Sequence, residues 1–211
     1  MKENYYLLFE KQIEKITSNN VIPKLLLHSC CGPCSSQVIT CLTKYFDITI
    51  LYYNPNISPL DEYEKRKEEQ IRLINNINHI NKLNIIDCDY DNEIYENMIK
   101  GLENEPEGGN RCSKCFNLRL EKTAYLAKQN NYDFFSTTLS ISPHKNSFII
   151  NEIGKSLENK YNIKWLYSDF KKKEGYKKSI ELSKKYNLYR QDYCGCIYSK
   201  RQKENNVSTI T

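Results

Sequence analysis

The amino-acid sequence predicts an α/β fold, in which a parallel sheet is flanked by helices. Five short runs of apolar, β-branched or aromatic residues recur along the 211-residue chain, at 24–29, 48–54, 83–90, 133–139 and 163–170. Helix-like segments separate these runs, and strands that alternate with helices are typical of a parallel sheet covered on both sides. No internal repeat or Gly/Ser-rich linker interrupts the pattern, so we expect one domain over residues 1–211.

Turn and capping residues predict where two of the helices begin. Ser58 has the side chain of an N-cap, and Pro59 suits the first position of the helix that follows. The apolar residues at helical spacing in this helix are Ile71, Ile74 and Ile77. A later helix is expected to open at Ser142-Pro143. The apolar face of this later helix would consist of Phe148, Ile149, Ile153 and Leu157.

The strand-like runs end in polar and reactive residues. In open parallel sheets, ligands bind beyond the carboxyl ends of the strands. The residues expected there are Cys30, Cys31 and Cys34, then Asn54 and Asn56, then 87–91, 140–145 and 169–173. The sequence therefore predicts a functional site at this one edge of the sheet.

Composition bears on the compartment and on the role of the cysteines. No apolar run approaches the ~20 residues of a membrane-spanning helix, and the first residues lack the pattern of a signal peptide. We therefore expect a cytoplasmic protein without a membrane partner. The chain has nine cysteines. Because a reducing compartment disfavours structural disulfides, clustered cysteines there indicate metal ligands or redox catalysts.

Two groups of cysteines have the spacing of metal ligands. The first is Cys30-Cys31, with Cys34 nearby, and the second is the C-x-x-C pair of Cys112 and Cys115, which precedes a helix. Such a pair at a helix start lets two thiolates reach one metal centre, and two cysteines of the first group would complete a four-thiolate site. That site fits structural zinc or an iron–sulfur cluster, and its position at the sheet edge favours the cluster.

The third group, Cys194 and Cys196, is separated by a single glycine. A disulfide between cysteines so close in sequence is strained, and strained disulfides are the labile, catalytic kind, so the group indicates a redox pair. Two further metal ligands are the alternative. Cys34 fits either a second metal or a helix-start thiol, and His144 is the histidine best placed for function. The residues interpreted as core are Cys41, Cys88 and His28.

The C-terminal part of the chain is strongly basic. Residues 171–203 contain eleven Lys and Arg against three acids, a net charge of +8, whereas the whole chain carries +5. Such a local surplus suits a polyanion such as nucleic acid, with a solvated lysine-rich surface as the alternative. We expect this segment to pack on the domain and residues 204–211 to form a flexible tail.

Five blocks of the sequence, spread between Lys24 and Ser199, resemble the epoxyqueuosine reductases of the QueH type. They read CCGPCSS, YYNPNISPLDEYEKR, EPEGGNRCSKCFNLRLEKTA, FFSTTLSISPHKN and DFKKKEGYKKSIELSKKYNLYRQDYCGC. The resemblance implies an enzyme that reduces epoxyqueuosine to queuosine in the anticodon loop of tRNA, the last step of that modification, without cobalamin. It also implies a fold related to ATP pyrophosphatases and adenine-nucleotide hydrolases, the HUP fold, with cysteine loops at the carboxyl edge of the strands.

The resemblance further implies which residues form the site. A [4Fe–4S] cluster is expected on Cys30, Cys31, Cys112 and Cys115, and a redox-active disulfide between Cys194 and Cys196. An adjacent mononuclear iron is associated with the family, and by position its ligands would be Cys34 and either Asp89 or Asp87. Substrate contacts at the same edge are expected from Asn54, Asn56, His144, Lys145, Arg190 and Tyr193. The reaction also needs an electron donor, which the sequence does not identify.

Three other functions are open on the sequence alone. An ATP-consuming thiolation enzyme or ligase would retain a nucleotide site in the loop 30–36, but thiols occupy the positions where related enzymes bind pyrophosphate. A zinc-stabilised RNA-binding module would use the same cysteines without catalysis. A thiol–disulfide oxidoreductase would use Cys194 and Cys196 without any metal.

Overall fold

The computed structural model describes residues 3–19 and 21–208, the last three of them by backbone alone. Its centre is a sheet of five parallel strands in the order β3-β2-β1-β4-β5. The strands are β1 (Lys24–His28), β2 (Asp47–Tyr52), β3 (Leu83–Asp87), β4 (Phe134–Thr137) and β5 (Lys164–Trp165). Each strand overlaps one of the five apolar runs, so the predicted α/β class with a parallel sheet is confirmed.

Helices connect the strands and cover both faces of the sheet. They are α1 (Tyr5–Thr17), α2 (Gly32–Leu42), α3 (Leu60–Asn76), α4 (Asn92–Met98), α5 (Asn110–Gln129), α6 (Ser147–Tyr161), α7 (Gly175–Lys185) and α8 (Ile197–Ser208). A short 3-10 turn, Thr138–Ile141, follows β4. This arrangement places the carboxyl ends of all five strands on one edge, where the chain leaves each strand.

The central strand β1 shows why the sheet must be covered on both sides. Leu25, Leu26 and Leu27 are all fully buried, although successive side chains of a strand point to opposite faces. Leu25 and Leu27 belong to one apolar cluster, with Val38 of α2. Leu26 belongs to the other, with Leu120 of α5. The continuous apolar run is therefore the sequence of a strand packed between two layers of helices.

The start of α3 differs from the expectation. Its N-cap is Pro59 rather than Ser58, and no side chain caps it. The Ser58 N–H instead donates to the carbonyl of Gly195 at 3.0 Å, because the C-terminal loop packs against this segment. The Ser58–Pro59 peptide is cis. Within the helix, Ile74 is buried as predicted, whereas Ile71 is exposed.

The helix α6 begins later than Ser142-Pro143, so that prediction is wrong. The preceding residues form the 3-10 turn, and the helix begins at Ser147. The side chain of Asn146 caps it by accepting a hydrogen bond from the Phe148 N–H at 2.9 Å. Asn146 is a good N-cap because its side-chain oxygen can satisfy a free N–H of the first turn.

Trp165 fixes which side of α6 faces the sheet. Its indole lies so close to Gly154 that a Cβ there would be 2.2 Å from the ring, and its Nε1–H donates to Asn151 at 3.0 Å. The buried side of the helix consists of Ile150, Asn151, Gly154 and Leu157. The predicted apolar face is therefore right at Leu157 and wrong at Phe148, which is exposed.

The basic C-terminal segment packs on the sheet domain through α7. This helix lies against α2 and buries only small residues, Gly175, Ser179 and Ser183. Residues 204–208 continue α8 as helix, and residues 209–211 of the predicted tail lie outside the described residues. The division into one domain with a packed basic segment stays a prediction. In the described part of the chain, no helix is long and apolar enough to cross a membrane.

Candidate active site

Three thiols meet where β1 gives way to α2. Cys30 follows the strand, Cys31 is the N-cap of the helix, and Cys34 lies in its first turn. The three Sγ atoms lie within 4.8 Å of one another, and those of Cys30 and Cys31 are 3.8 Å apart. We call these residues the thiol triad. The triad includes Cys34, whose function the sequence left open between a ligand and a helix-start thiol.

Of the three thiols in the triad, Cys30 loses its proton most easily. Hydrogen bonds from Cys31 and Cys34 lower the pKa of Cys30 well below its ordinary value, and the cations of Lys145 and Arg119 favour the same charge. The hydrogen bond to Cys30 raises the pKa of Cys31 to about 12, and bonds to both neighbours raise that of Cys34. A metal cation bound here would displace the remaining protons, because thiolates are the ligands.

Two glutamines outside the predicted site residues support the triad. The Gln191 Nε2 donates to Cys31 Sγ at 2.9 Å, across 160 residues of sequence. Gln70 Oε1 accepts from the hydroxyls of Ser29 and Ser35, at 2.7 and 2.8 Å. Gln191 lies inside the block RQDYCGC, which carries part of the family resemblance, but no local spacing predicts its contact with Cys31.

The second cysteine group lies in the first two turns of α5, beside the triad but outside the group of sulfurs that lie within 4.8 Å of one another. Cys112 packs against the apolar cluster that contains Cys30 and Cys31, and its Sγ accepts from the Gly108 N–H at 3.2 Å. Cys115 is buried, and burial raises its pKa to about 12. It packs in a small cluster that also contains Cys196. The helix α5 therefore lies between the first and third cysteine groups.

The third group forms a loop that α8 and distant side chains hold in place. The Cys194 N–H donates to Ser199 Oγ at 3.1 Å, and the Ser199 N–H donates to Cys196 Sγ at 3.4 Å. The Ser199 hydroxyl in turn donates to Glu107 at 2.9 Å. Both cysteines are free thiols in this structure. Cys194 lines a cavity, whereas Cys196 is buried, so the two sulfurs are not equally accessible.

Gly195, between these two cysteines, has a backbone conformation that residues with a Cβ rarely adopt. Gly195 has φ of +127°, and a Cβ there would lie 2.9 Å from Arg66 Nη1 and 3.0 Å from Ile57. Arg66 is 1% exposed and donates to the Cys194 carbonyl at 3.1 Å. It also pairs with Glu62 at 2.7 Å. The loop therefore rests on a buried arginine from α3.

A second buried arginine, Arg119, lies among the cysteine groups. Its Nη2 has no hydrogen-bond partner among the described residues. Burial lowers its pKa, but the thiols of Cys115, Cys194 and Cys30 raise it, and the net shift is upward. A site made of several thiols with a buried cation fits an anionic, thiolate-bound metal centre, since a buried charge needs compensation.

A cavity of about 700 Å³ opens beside the thiol triad. Its wall includes the sulfur-bearing residues Cys30, Cys34 and Cys194. Four of the predicted substrate contacts also line it, namely His144, Lys145, Arg190 and Tyr193. The sheet edge thus brings thiols, cations and an aromatic ring around one space.

Other predicted site residues lie away from this cavity. Asn54 and Asn56 are buried and outside its lining, and Asn54 Nδ2 donates to the Ser29 carbonyl at 2.8 Å. Asp89 is exposed and is not part of the thiol triad. The roles of these three residues therefore stay predictions.

His28 is confirmed as a core residue. Its Nδ1 lies 2.9 Å from the Thr137 hydroxyl and its Nε2 lies 3.1 Å from the Tyr53 carbonyl. The carbonyl can only accept, so Nε2 carries the proton. Burial and the nearby Arg119 lower the pKa of His28 to about 3, which keeps the imidazole neutral.

Comparison with known proteins identifies the family. A family model described as epoxyqueuosine reductase QueH matches residues 25–202. A solved structure of a predicted subunit of tRNA methyltransferase from Methanocaldococcus jannaschii aligns with a TM-score of 0.47 and 17% identity, over 76% of this chain and 74% of that one. The epoxyqueuosine reductase QueH of Staphylococcus epidermidis is 43% identical over 202 residues, covering 94% of this chain and 85% of the relative. That of Acinetobacter baylyi is 44% identical over 180 residues, covering 84% and 81%. The family match and these identities show that the chain belongs to the epoxyqueuosine reductase QueH family.

Proposed function

We propose that the chain reduces epoxyqueuosine to queuosine in the anticodon loop of tRNA, the last step of queuosine biosynthesis, in the cytoplasm. Its relatives carry the name of this enzyme. The observation that carries the proposal is that cysteines of the first and third groups line one cavity at the carboxyl edge of the sheet, while the second group packs against both of them. A cavity of about 700 Å³ has the size of a pocket that takes a base extruded from its stack.

We assign a [4Fe–4S] cluster to Cys30, Cys31, Cys112 and Cys115. The all-thiol donor set, the burial of three of these cysteines and the cation of Arg119 support the assignment. When bound, such a cluster would supply electrons to the reaction one at a time. We assign the adjacent iron to Cys34 and Asp89. Cys34 has the support of its place in the thiol triad, and Asp89 has that of its position after β3.

The Cys194 and Cys196 thiols together would supply the two electrons and two protons that one turnover consumes. In removing the epoxide oxygen, two C–O bonds break, a C=C bond forms, and the oxygen leaves as water after taking up two protons and two electrons. Oxidation of two thiols to a disulfide releases the same two electrons and two protons. An external donor then reduces the disulfide. Because Cys194 lines the cavity and Cys196 is buried, this donor reaches Cys194 first.

Polar side chains that line the cavity would hold the substrate. Lys145 keeps its positive charge: burial lowers the pKa of its amine, but Cys194, Cys30 and Cys34 raise it by more. We assign this amine to the polar groups of the modified base, together with His144, Arg190 and Tyr193. Asn54 and Asn56 each have a buried side-chain oxygen without a partner among the described residues, which supports a polar contact.

The basic segment 171–203 would bind the phosphates of tRNA. The helix α7 borders the cavity through Tyr176 and Ser179. Its exposed side carries Lys177, Lys178, Lys184 and Lys185. A protein that neutralises several phosphates binds more weakly as salt rises, because counterions must be displaced. Tight binding of substrate tRNA that does not change over a severalfold rise in salt would remove this role.

The proposal is tested by iron, sulfide and tRNA analysis on anaerobically purified protein. We expect iron and inorganic sulfide in each chain, an electron paramagnetic resonance signal after reduction, and conversion of epoxyqueuosine in tRNA. Cys112→Ser should lose most of the iron and the activity. Cys41→Ser is the control, because this thiol packs against the apolar core away from the cavity. Full activity in Cys112→Ser would favour a thiol–disulfide oxidoreductase that needs no metal.

The thiol triad supports a second candidate, a zinc-stabilised RNA-binding module. Three sulfurs within 4.8 Å of one another can hold a single ion. Zinc and iron content separate the two functions, since a zinc protein is colourless and lacks absorbance near 400 nm. One zinc per chain, with tRNA binding and no conversion of epoxyqueuosine, would favour the RNA-binding module over the enzyme.

A further inference from the structure

Arg119 is a fully buried cation without a carboxylate partner. It lies on α5, one turn after Cys115, and it is 1% exposed. Among the described residues, no carboxylate forms an ion pair with it, and its Nη2 has no hydrogen-bond partner. An unpaired buried charge is strongly destabilising, because the lost hydration of the ion is not compensated. A folded chain that keeps such a cation needs an anion beside it.

The groups within its electrostatic reach that become anionic when they bind a metal are the thiols of all three cysteine groups. Cys115, Cys194 and Cys30 each favour the charged guanidinium. The only hydrogen bond of Arg119 Nε that the described residues provide goes to the Cys115 carbonyl, at 3.3 Å. The guanidinium also lies 5.8 Å from the ring of Phe116. Arginine keeps its charge under all physiological conditions, so Arg119 is a permanent positive charge within electrostatic reach of the three groups.

We propose that Arg119 is the positioning residue that supplies the buried counter-charge for the thiolate-bound iron centre, holds that centre in the fold and raises its reduction potential. The inference rests on the proposed iron–sulfur function. Four thiolates give such a centre net negative charge, and the potential of a cluster depends on the charges and hydrogen bonds around it. A nearby cation makes the added electron more favourable, so the reduced form is stabilised.

The alternative is a purely structural role, in which Arg119 fills space beside Phe116 and ties the first turns of α5 through the Cys115 carbonyl. Two substitutions separate these roles. Arg119→Met keeps an unbranched apolar stem but removes the charge. Arg119→Lys keeps the charge on a shorter donor. A structural role depends on shape and on the hydrogen bond, whereas a counter-charge role depends on the charge.

The experiment uses protein reconstituted without oxygen and measures iron per chain, the midpoint potential by paramagnetic resonance titration, and the thermal midpoint of iron-free protein. For Arg119→Met we expect severalfold less iron and a more negative potential for the iron that remains. The iron-free variant should be as thermostable as the iron-free parent or more so, because an uncompensated cation has been removed. Arg119→Lys should recover most of the iron and most of the potential.

The control is Arg111, another buried arginine of α5, which donates to the carbonyls of Leu102, Glu103 and Glu105. Arg111→Met should lower the thermal midpoint with and without iron, since it releases the loop before α5. An Arg119→Met protein with parental iron content and potential overturns the inference. So does one whose iron-free form is destabilised like Arg111→Met. If the parent protein contains no iron and sulfide, the proposed cofactor is overturned as well. If the parent is iron-loaded and active, and Arg119→Met changes neither iron content nor potential, only the inference is overturned.

Discussion

The two ends of the candidate site, the thiol triad and the loop of Cys194 to Cys196, are held by different kinds of contact. The triad is fixed by regular backbone: the Ser29 N–H bonds the Leu51 carbonyl of β2 at 3.0 Å, and the Ser35 N–H bonds Cys31 in the first turn of α2 at 3.1 Å. The loop has no regular structure. Arg66 binds it from 128 residues away in sequence.

This difference suits the two ends to different tasks. A strand end and a helix start are rigid together, because neighbouring strands and helices share their hydrogen bonds and apolar contacts. A loop held by individual side-chain bonds, each worth about 1 kcal/mol net, can open more easily. Holding a metal centre requires the first property. Exchanging a disulfide with an external donor requires access, which the second provides.

The largest expected effect is the loss of iron when the metal-binding end of the site is changed. Cys31→Ser should lose nearly all iron, since this sulfur is buried within the triad and has Gln191 as its donor. Cys194→Ser should keep most of its iron but turn over little or no tRNA. Iron analysis and an anaerobic conversion assay on both variants check this pair. Equal iron loss in the two variants would mean that the third cysteine group also supplies ligands.

The second prediction concerns a substitution that strains the backbone of the loop. Gly195→Ala puts a Cβ at positive φ and against Arg66, so we expect a loss of about 1–3 kcal/mol in the free energy of unfolding from the backbone alone, plus the cost of the contact. The matched control is Gly101→Ala, which also has positive φ, of +81°, but has nothing within 4 Å of the added Cβ. Urea unfolding measures both. A Gly195→Ala loss no greater than that of Gly101→Ala would show that the loop yields freely.

The smallest expected effect concerns one hydroxyl of the loop. Ser199→Ala removes the acceptor of the Cys194 N–H and the donor to Glu107, and should cost about 1–2 kcal/mol of unfolding free energy. Because the loop would open more often, the reduced Cys194 thiol should react faster with a soluble disulfide reagent. Unchanged reactivity would argue that the bonds from Arg66 and Ser58 suffice to hold the loop closed. The triad thiols, measured in the same sample, serve as the internal reference.

The sequence by itself determined the sheet and the identity of the reactive residues. A β1 run such as KLLLHS can be buried only when both faces of the strand are covered, and a C-x-x-C at a helix start presents both thiols on one side. Parallel strands must end at a common edge, so the first cysteine group could be placed there, whereas the position of the other two was expected from the family resemblance. These inferences depend on contacts within a few residues or on a rule that applies to every parallel sheet.

Only the tertiary structure decided which side chains surround the cysteines. Gln191 reaches Cys31 across 160 residues, and Arg119 lies within electrostatic reach of thiols from three separate segments. It also decided that Ser58 binds Gly195 instead of capping α3. Such contacts depend on how whole helices pack, and no local spacing encodes them. The physical reason is that a buried polar or charged group takes whatever partner the packed chain brings within reach, however distant that partner is in sequence.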